Sequence, residues 1–356
     1  MTDGGGQDML EISRGFSLLG HNTFGIDVQA AAWVEYSSAE ELREVARMLR
    51  DAELPSPWMH VGGGSNLLFT KDWPGTLLHS RITGIEELER DEDVVTVRAG
   101  AGTVWDELVK LCVDRNWYGT ENLTAVPGET GAAAVQNIGA YGAEISNLVR
   151  SLTVMDMVDG SVKVIDRKEC GYGYRYSIFK RPENRRYVVM YVDLCLGLRP
   201  CLNLSYKGLA QVLEKRPAGN AELRDVREAV LKIRAAKLPD PAETGSAGSF
   251  FTNPVVPRSK LEELQKQWPA IPFYEVRGTS GAVVPDSVKL SAGWLIEQCG
   301  WKGRSVGRAG VYSRQALVIV NLGGATGTEV ASLAAAVRTS VRQRFGIDLH
   351  PEVNIL

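Results

Sequence analysis

Sixteen consecutive residues, 127–142, hold four glycines and four alanines, and this nearly side-chain-free stretch constrains the fold more than any other part of the chain. Pro127-Gly128-Glu129-Thr130-Gly131-Ala132-Ala133-Ala134-Val135-Gln136-Asn137-Ile138-Gly139-Ala140-Tyr141-Gly142 lets another surface approach the backbone closely. That surface is either a flat aromatic cofactor or a second small-residue segment. Gln136, Asn137 and Tyr141 stand out from it as polar groups. A second glycine run, Gly62-Gly63-Gly64-Ser65-Asn66, follows the strand-like Trp58, His60 and Val61. Several N–H groups without an obstructing Cβ suit a pyrophosphate. The run matches neither G-x-G-x-x-G nor the P-loop, and a plain βα turn or hairpin explains it equally well. Glycine reaches 37 of 356 residues, well above ordinary usage.

The length points to two or three domains. Forty basic against 43 acidic residues leave a net charge of −3, which argues against nucleic acid or an anionic membrane as partner. A phosphate-bearing ligand must then be met locally, by a few Arg or Lys and by backbone amides. Cys112, Cys170, Cys195, Cys201 and Cys299 form no C-x-x-C pair, and His21, His60, His79 and His350 are scattered, so neither a disulfide framework nor a zinc site is expected. The acidic start of the chain lacks the basic-then-apolar order of a signal peptide, and no apolar run is long enough to span a bilayer. A cytoplasmic protein is expected. Residues 1–22 read as a loose arm. Residues 23–200 then alternate short strands and helices, an α+β or α/β pattern. Ser38 and Glu41 form a capping box, and Thr103 reads as a second N-cap. Past a boundary near 200–220, residues 222–236 form an amphipathic helix stopped by Leu238-Pro239. A glycine/serine turn at 245–249, helices near 258–267, 291–299 and 327–345, and strand 316–321 follow, with an extended 350–356.

Three further segments carry chemistry. In Gly171-Tyr172-Gly173-Tyr174-Arg175-Tyr176-Ser177-Ile178-Phe179-Lys180, an arginine flanked by tyrosines either grips a carboxylate or phosphate or packs at the surface. Ser249, in Gly245-Ser246-Ala247-Gly248-Ser249-Phe250-Phe251-Thr252-Asn253-Pro254, has no neighbouring histidine and is no hydrolase nucleophile. It reads as a turn serine or as a proton donor at the edge of an apolar pocket. Glu352, inside an apolar C-terminal strand, is either a rim residue or a buried carboxylate with a task.

In order and spacing, these segments resemble the UDP-N-acetylenolpyruvoylglucosamine reductase family, in the subtype with a tyrosine-bearing substrate loop. Asn22-Thr23-Phe24-Gly25, Lys237-Leu238-Pro239-Asp240-Pro241, the 288–299 segment and Pro351-Glu352-Val353 extend the similarity over nearly the whole chain. The resemblance implies an α+β protein. Its FAD-binding portion would be PCMH-type (vanillyl-alcohol-oxidase-like), of two α/β subdomains within residues 23–200. A C-terminal α+β substrate-binding domain would span 220–345, and strand 346–356 would return to the active site. It implies non-covalent FAD, NADPH as co-substrate, UDP-N-acetylglucosamine enolpyruvate as substrate, and a monomer serving peptidoglycan synthesis. Ser249 would protonate C2, while Arg175 and Glu352 would stabilise the enolate. FAD would be held by Gly62, Gly63, Gly64, Ser65, Asn66, Pro127, Gly128, Gly131, Gln136, Ile138, Gly139 and Tyr141. The substrate would be held by Tyr174, Tyr206, Lys237, Asn253 and Gln298. A PCMH-type oxidase of a small alcohol or sugar would leave Ser249, Arg175 and Glu352 without roles. A silent FAD- or UDP-sugar-binding protein would be expected to have lost one of them. Two positions depart from the family pattern: Tyr176 stands where aspartate is common, and Ala134 where proline is common.

Overall fold

The computed structural model describes residues 10–213, 221–277 and 283–356. Eight helices lie within them: α1 (Ala39–Arg50), α2 (Trp105–Asp114), α3 (Thr130–Gln136), α4 (Lys207–Leu213), α5 (Leu223–Lys237), α6 (Arg258–Gln265), α7 (Ala292–Gln298) and α8 (Gly327–Phe345). Among the described residues no helix is long and apolar enough to cross a membrane.

The first layer is a four-stranded mixed sheet. Strand Gln29–Tyr36 pairs antiparallel with Glu11–Ser17 and parallel with Trp73–Ser80, which pairs in turn with Trp58–Val61. Residues 11–17, expected within a loose arm, are therefore an edge strand, with Phe16 stacked on Trp33. Residues 1–9 of that arm lie outside the described residues. The second layer is a five-stranded antiparallel sheet centred on Tyr187–Gly197, whose Val, Met and Leu residues are buried on both faces. Its edge strand Ile85–Arg90 is charged and exposed, which discourages pairing with another chain. Helices α2 and α3 cover this sheet. Thr103 is not the cap of α2: Val104 is, and Asp106 instead accepts from the Ala125 amide and forms a two-pronged pair with Arg227 at 2.7 and 2.8 Å.

The C-terminal part has a four-stranded sheet with α7 and α8 packed beside it, and a smaller three-stranded sheet. Residues 245–249, expected as a turn, form the edge strand of the larger sheet against Val318–Asn321. The glycine signal reflects close packing rather than turning, because a Cβ on Gly245 would stand 2.1 Å from the Phe24 carbonyl oxygen. One apolar core holds side chains of both the first sheet and this C-terminal part, from Leu18 and Leu77 to Phe250 and Val353.

Candidate active site

Four chain segments distant in sequence meet at a single seam. The Glu352 amide donates to the Phe250 carbonyl at 2.8 Å, and Asn354 donates to the Asn66 carbonyl at 3.0 Å. Asn66 Nδ2 reaches both Gln136 Oε1 (2.5 Å) and the Glu352 carbonyl (3.1 Å). Both glycine-rich stretches, the serine strand and the C-terminus are thereby fixed around one cleft open to solvent.

Ser249 enters this cleft because strand 245–249 bulges. Gly248, at φ +67°, interrupts the register between Ser246 and Ser249 and leaves the serine exposed on the cleft wall. Arg175 comes from the opposite wall. Its Nη2 donates to the Gly139 carbonyl at 2.5 Å, its Nη1 to the Asn137 carbonyl at 3.5 Å, and its Nε stands 2.7 Å from Glu352 Oε1. Burial pushes the Glu352 carboxyl above its ordinary range, although Arg175 and Lys180 pull the other way. All three residues expected to be catalytic thus line one cleft. Tyr176 points away from it, accepting from Arg181 Nε at 2.7 Å, so Arg175 is held by the two carbonyls and Glu352. Ala134 is buried inside α3.

Of the residues expected to hold FAD, Ser65, Asn66, Pro127 and Gly128 line the cleft, as do Gln136, Ile138, Gly139 and Tyr141. Gly62, Gly63, Gly64 and Gly131 stand behind this lining and shape it. A Cβ on Gly64 would stand 2.1 Å from the His21 carbonyl oxygen, and one on Gly131 2.7 Å from the Ala101 Cβ. Tyr141 and Gly142, both at positive φ, form the two-residue turn of a hairpin between Gly139–Ala140 and Ala143–Glu144, which presents the tyrosine. The amides of Gly63, Ser65 and Asn66 donate to no acceptor among the described residues. A strip of free amides bordered by side-chain-free backbone fits a bound dinucleotide.

The expected substrate residues divide. Tyr206 and Lys237 line the cleft, and Tyr206 packs edge-on against Tyr141 at 5.2 Å. Tyr174 lies outside the lining, its ring under Lys289 Nζ at 4.1 Å and near Arg175. Asn253 also lies outside, its Oδ1 taken by the Ala292 amide at the start of α7. Gln298 is not brought to the cleft at all: it ends α7, where its carbonyl accepts from Arg344 of α8. Besides Asn66 and Gln136, the lining holds the amide side chain of Gln315, from the loop before strand Val318–Asn321, and no sequence pattern marks it. Arg234 is a second lining residue that sequence reasoning missed. It sits one turn before Lys237 on α5, a spacing that places the two cations on one face. Burial draws the Arg234 guanidinium below its usual range, opposed by Tyr141 and Asp106.

Comparison with known proteins shows the family to which a chain with this fold belongs. A family model described as UDP-N-acetylenolpyruvoylglucosamine reductase, C-terminal domain, matches residues 240–356, and one described as FAD binding domain matches residues 30–166. The UDP-N-acetylenolpyruvoylglucosamine reductase of Bacteroides fragilis (strain YCH46) is 51% identical over 96% of this chain and 99% of its own length. That of Porphyromonas gingivalis (strain ATCC 33277) is 46% identical, over 98% of this chain and 100% of its own. That of Pseudomonas aeruginosa (strain PAO1) is 41% identical, over 97% and 99%. The crystal structure of the reductase (MurB) from Thermus caldophilus superposes with a TM-score of 0.64 over 97% of this chain and 98% of that one; at 24% identity it speaks for the fold. The α+β architecture with a PCMH-type flavin portion, expected from the sequence, is borne out. The chain belongs to the UDP-N-acetylenolpyruvoylglucosamine reductase family.

Proposed function

We propose that this chain reduces UDP-N-acetylglucosamine enolpyruvate to UDP-N-acetylmuramate, with non-covalent FAD as its redox group and NADPH as reductant, in a cytoplasmic step of peptidoglycan precursor synthesis. The observation that carries the reading is the meeting of Ser249, Arg175 and Glu352 in one cleft bordered by the free amides of the 62–66 loop. FAD, when bound, would supply the hydride that C3 of the enolpyruvyl group gains, with NADPH as the reductant. As C3 gains hydride, negative charge collects on the substrate carboxylate. Arg175, fixed in advance by the Gly139 and Asn137 carbonyls, meets that charge without reorganising. Glu352, whose carboxyl burial pushes above its ordinary range, donates to the same carboxylate in its protonated form. Ser249 then gives its hydroxyl proton to C2 and recovers one from solvent, to which it is exposed. Lys237, Tyr206 and Gln315 face the diphosphate, and Tyr206 folds over it to exclude water.

The test is the visible spectrum of the purified protein, followed without oxygen. Bleaching by NADPH and recolouring by UDP-N-acetylglucosamine enolpyruvate is the expected result. Recolouring only when air enters would make the protein an oxidase. A colourless preparation that takes up no FAD would overturn the flavoprotein reading.

A further inference from the structure

One group in the cleft has no part in the chemistry above. Glu129, on the glycine- and alanine-rich stretch, occupies the N-cap position of α3 but makes no capping hydrogen bond. Its Oε1 lies 2.8 Å from His79 Nε2, and His79 Nδ1 lies 2.8 Å from Glu35 Oε1. Glu35 in turn faces the exposed Arg81, with Arg81 Nε 3.6 Å from Oε2. An ordered line of carboxylate, imidazole and carboxylate therefore runs from the surface to the cleft floor, across the parallel strands Gln29–Tyr36 and Trp73–Ser80. The second oxygen of Glu129, Oε2, accepts no hydrogen bond among the described residues, and it stands 3.2 Å from where a Cβ on Gly62 would be. A carboxylate only accepts hydrogen bonds, so beside amides suited to a pyrophosphate it is suited to a neighbouring hydroxyl.

We propose that Glu129 binds a hydroxyl group of the dinucleotide, from its ribose or its ribityl chain, and that His79 and Glu35 are positioning residues that hold Glu129 at that angle. This rests on the chain binding FAD, as the proposed function requires. His79 can bridge two carboxylates as a double donor only when protonated. Burial lowers its proton affinity, but hydrogen bonds and charge from Glu129, then Glu35, more than offset this and raise it above the ordinary range. The other titratable or charged groups around it are His21 (its ring against Trp33), His60 (bonded to the Tyr36 hydroxyl), Tyr36 itself and Arg81. Since His79 is raised, the bridge is intact at low pH and is lost as pH rises through its elevated value.

The experiment is flavin binding by equilibrium ultrafiltration, with FAD and FMN as probes, on wild type, Glu129→Gln, His79→Gln and the double variant. Glu129→Gln and His79→Gln should each weaken FAD at least tenfold. The double variant should be no weaker than the worse single one, because the residues act as one unit. Apoprotein melting temperatures should stay close to wild type for Glu129→Gln, which decides the matter should His79→Gln fail to fold. Wild-type affinity should fall with rising pH, and the fall should vanish in Glu129→Gln. Loss of FAD and FMN affinity alike assigns the ribityl chain, and loss of FAD affinity alone assigns the ribose; either supports the proposal. Wild-type affinity retained by Glu129→Gln overturns it while leaving the flavin reading intact. Failure of wild type to bind either flavin overturns both.

Discussion

Arg175 sits at φ +54°, a left-handed conformation that costs a non-glycine residue roughly 1–3 kcal/mol and persists only where neighbours enforce it. Lys180 Nζ donates to the Arg175 carbonyl at 3.0 Å, and the guanidinium is clasped by Gly139, Asn137 and Glu352. The strain therefore falls on the residue that must meet substrate charge. Ser249 carries no such constraint, being exposed, so Ser249→Ala should change stability by less than about 0.5 kcal/mol. Loss of a positioned proton donor should slow substrate-dependent reoxidation of the flavin by about 10²–10⁴-fold and leave reduction by NADPH untouched. Stopped-flow absorbance of the two half-reactions checks this, and an equal fall in both would remove the proton-donor role. Glu352 gives a second prediction. Its carboxyl is raised by burial, so the donating, protonated form prevails at low pH and is lost as pH rises through that elevated value. Reoxidation by substrate should slow over that rise in wild type. Glu352→Gln, whose amide donates at any pH, should run slower at low pH but with this limb flattened.

The site's elements depend on glycines of different kinds. Gly248 and Gly64 share a left-handed backbone, at φ +67° and +66°, but not their surroundings. Nothing lies within 4 Å of a Cβ on Gly248, whereas one on Gly64 would stand 2.1 Å from the His21 carbonyl oxygen. Gly248→Ala should cost only the conformational strain, roughly 1–2 kcal/mol, while loosening the bulge that presents Ser249. Gly64→Ala must also move backbone, and should cost roughly 3–5 kcal/mol or leave no folded protein. Urea unfolding of the two variants separates these cases, and equal losses would contradict the geometry. The same contrast shows what was legible in the sequence. Glycine runs announce close backbone approach at 62–66 and 127–142, whereas the residues around Ser249 fit a turn serine as well as a proton donor, and the family resemblance singles it out. Periodicity fixed α5 and α8 almost to the residue, because their buried faces repeat at helical spacing. It misread 245–249 as a turn, because close packing of Gly245 against Phe24 and a turn both demand glycine. Gln315 was invisible: a loop residue enters a cleft through tertiary placement, which no local pattern encodes. Arg234 was within reach, given its helical spacing to Lys237.

At the scale of the molecule, the two family matches suggest a chain in two halves, but the packing does not divide there. Leu18, Phe24, Trp33, Phe69 and Leu77 share a core with Phe250, Phe251, Leu295, Val337 and Val353. The C-terminal residues reinforce it: the Thr70 amide donates to the Leu356 carbonyl and the Leu356 amide to the Leu68 carbonyl, both at 2.8 Å. Exposing one such side chain costs about 1.5–3 kcal/mol, so stripping the five N-terminal ones from the core would cost about as much as the whole 5–15 kcal/mol that stabilises a typical domain. This sharing also holds the cleft, since the walls bearing Asn66 and Glu352 are stitched by the same seam. A fragment of residues 240–356 should therefore fail to unfold cooperatively when expressed alone, despite matching a whole family model. In the intact chain, urea should unfold this core as one unit. Far-ultraviolet dichroism should fall together with fluorescence from Trp33 in the first sheet and from Trp294 in α7, each read in a variant retaining only that tryptophan. A stable fragment, or an earlier transition at Trp294 alone, would show that the C-terminal part folds by itself and that the cleft is an interface between independent bodies.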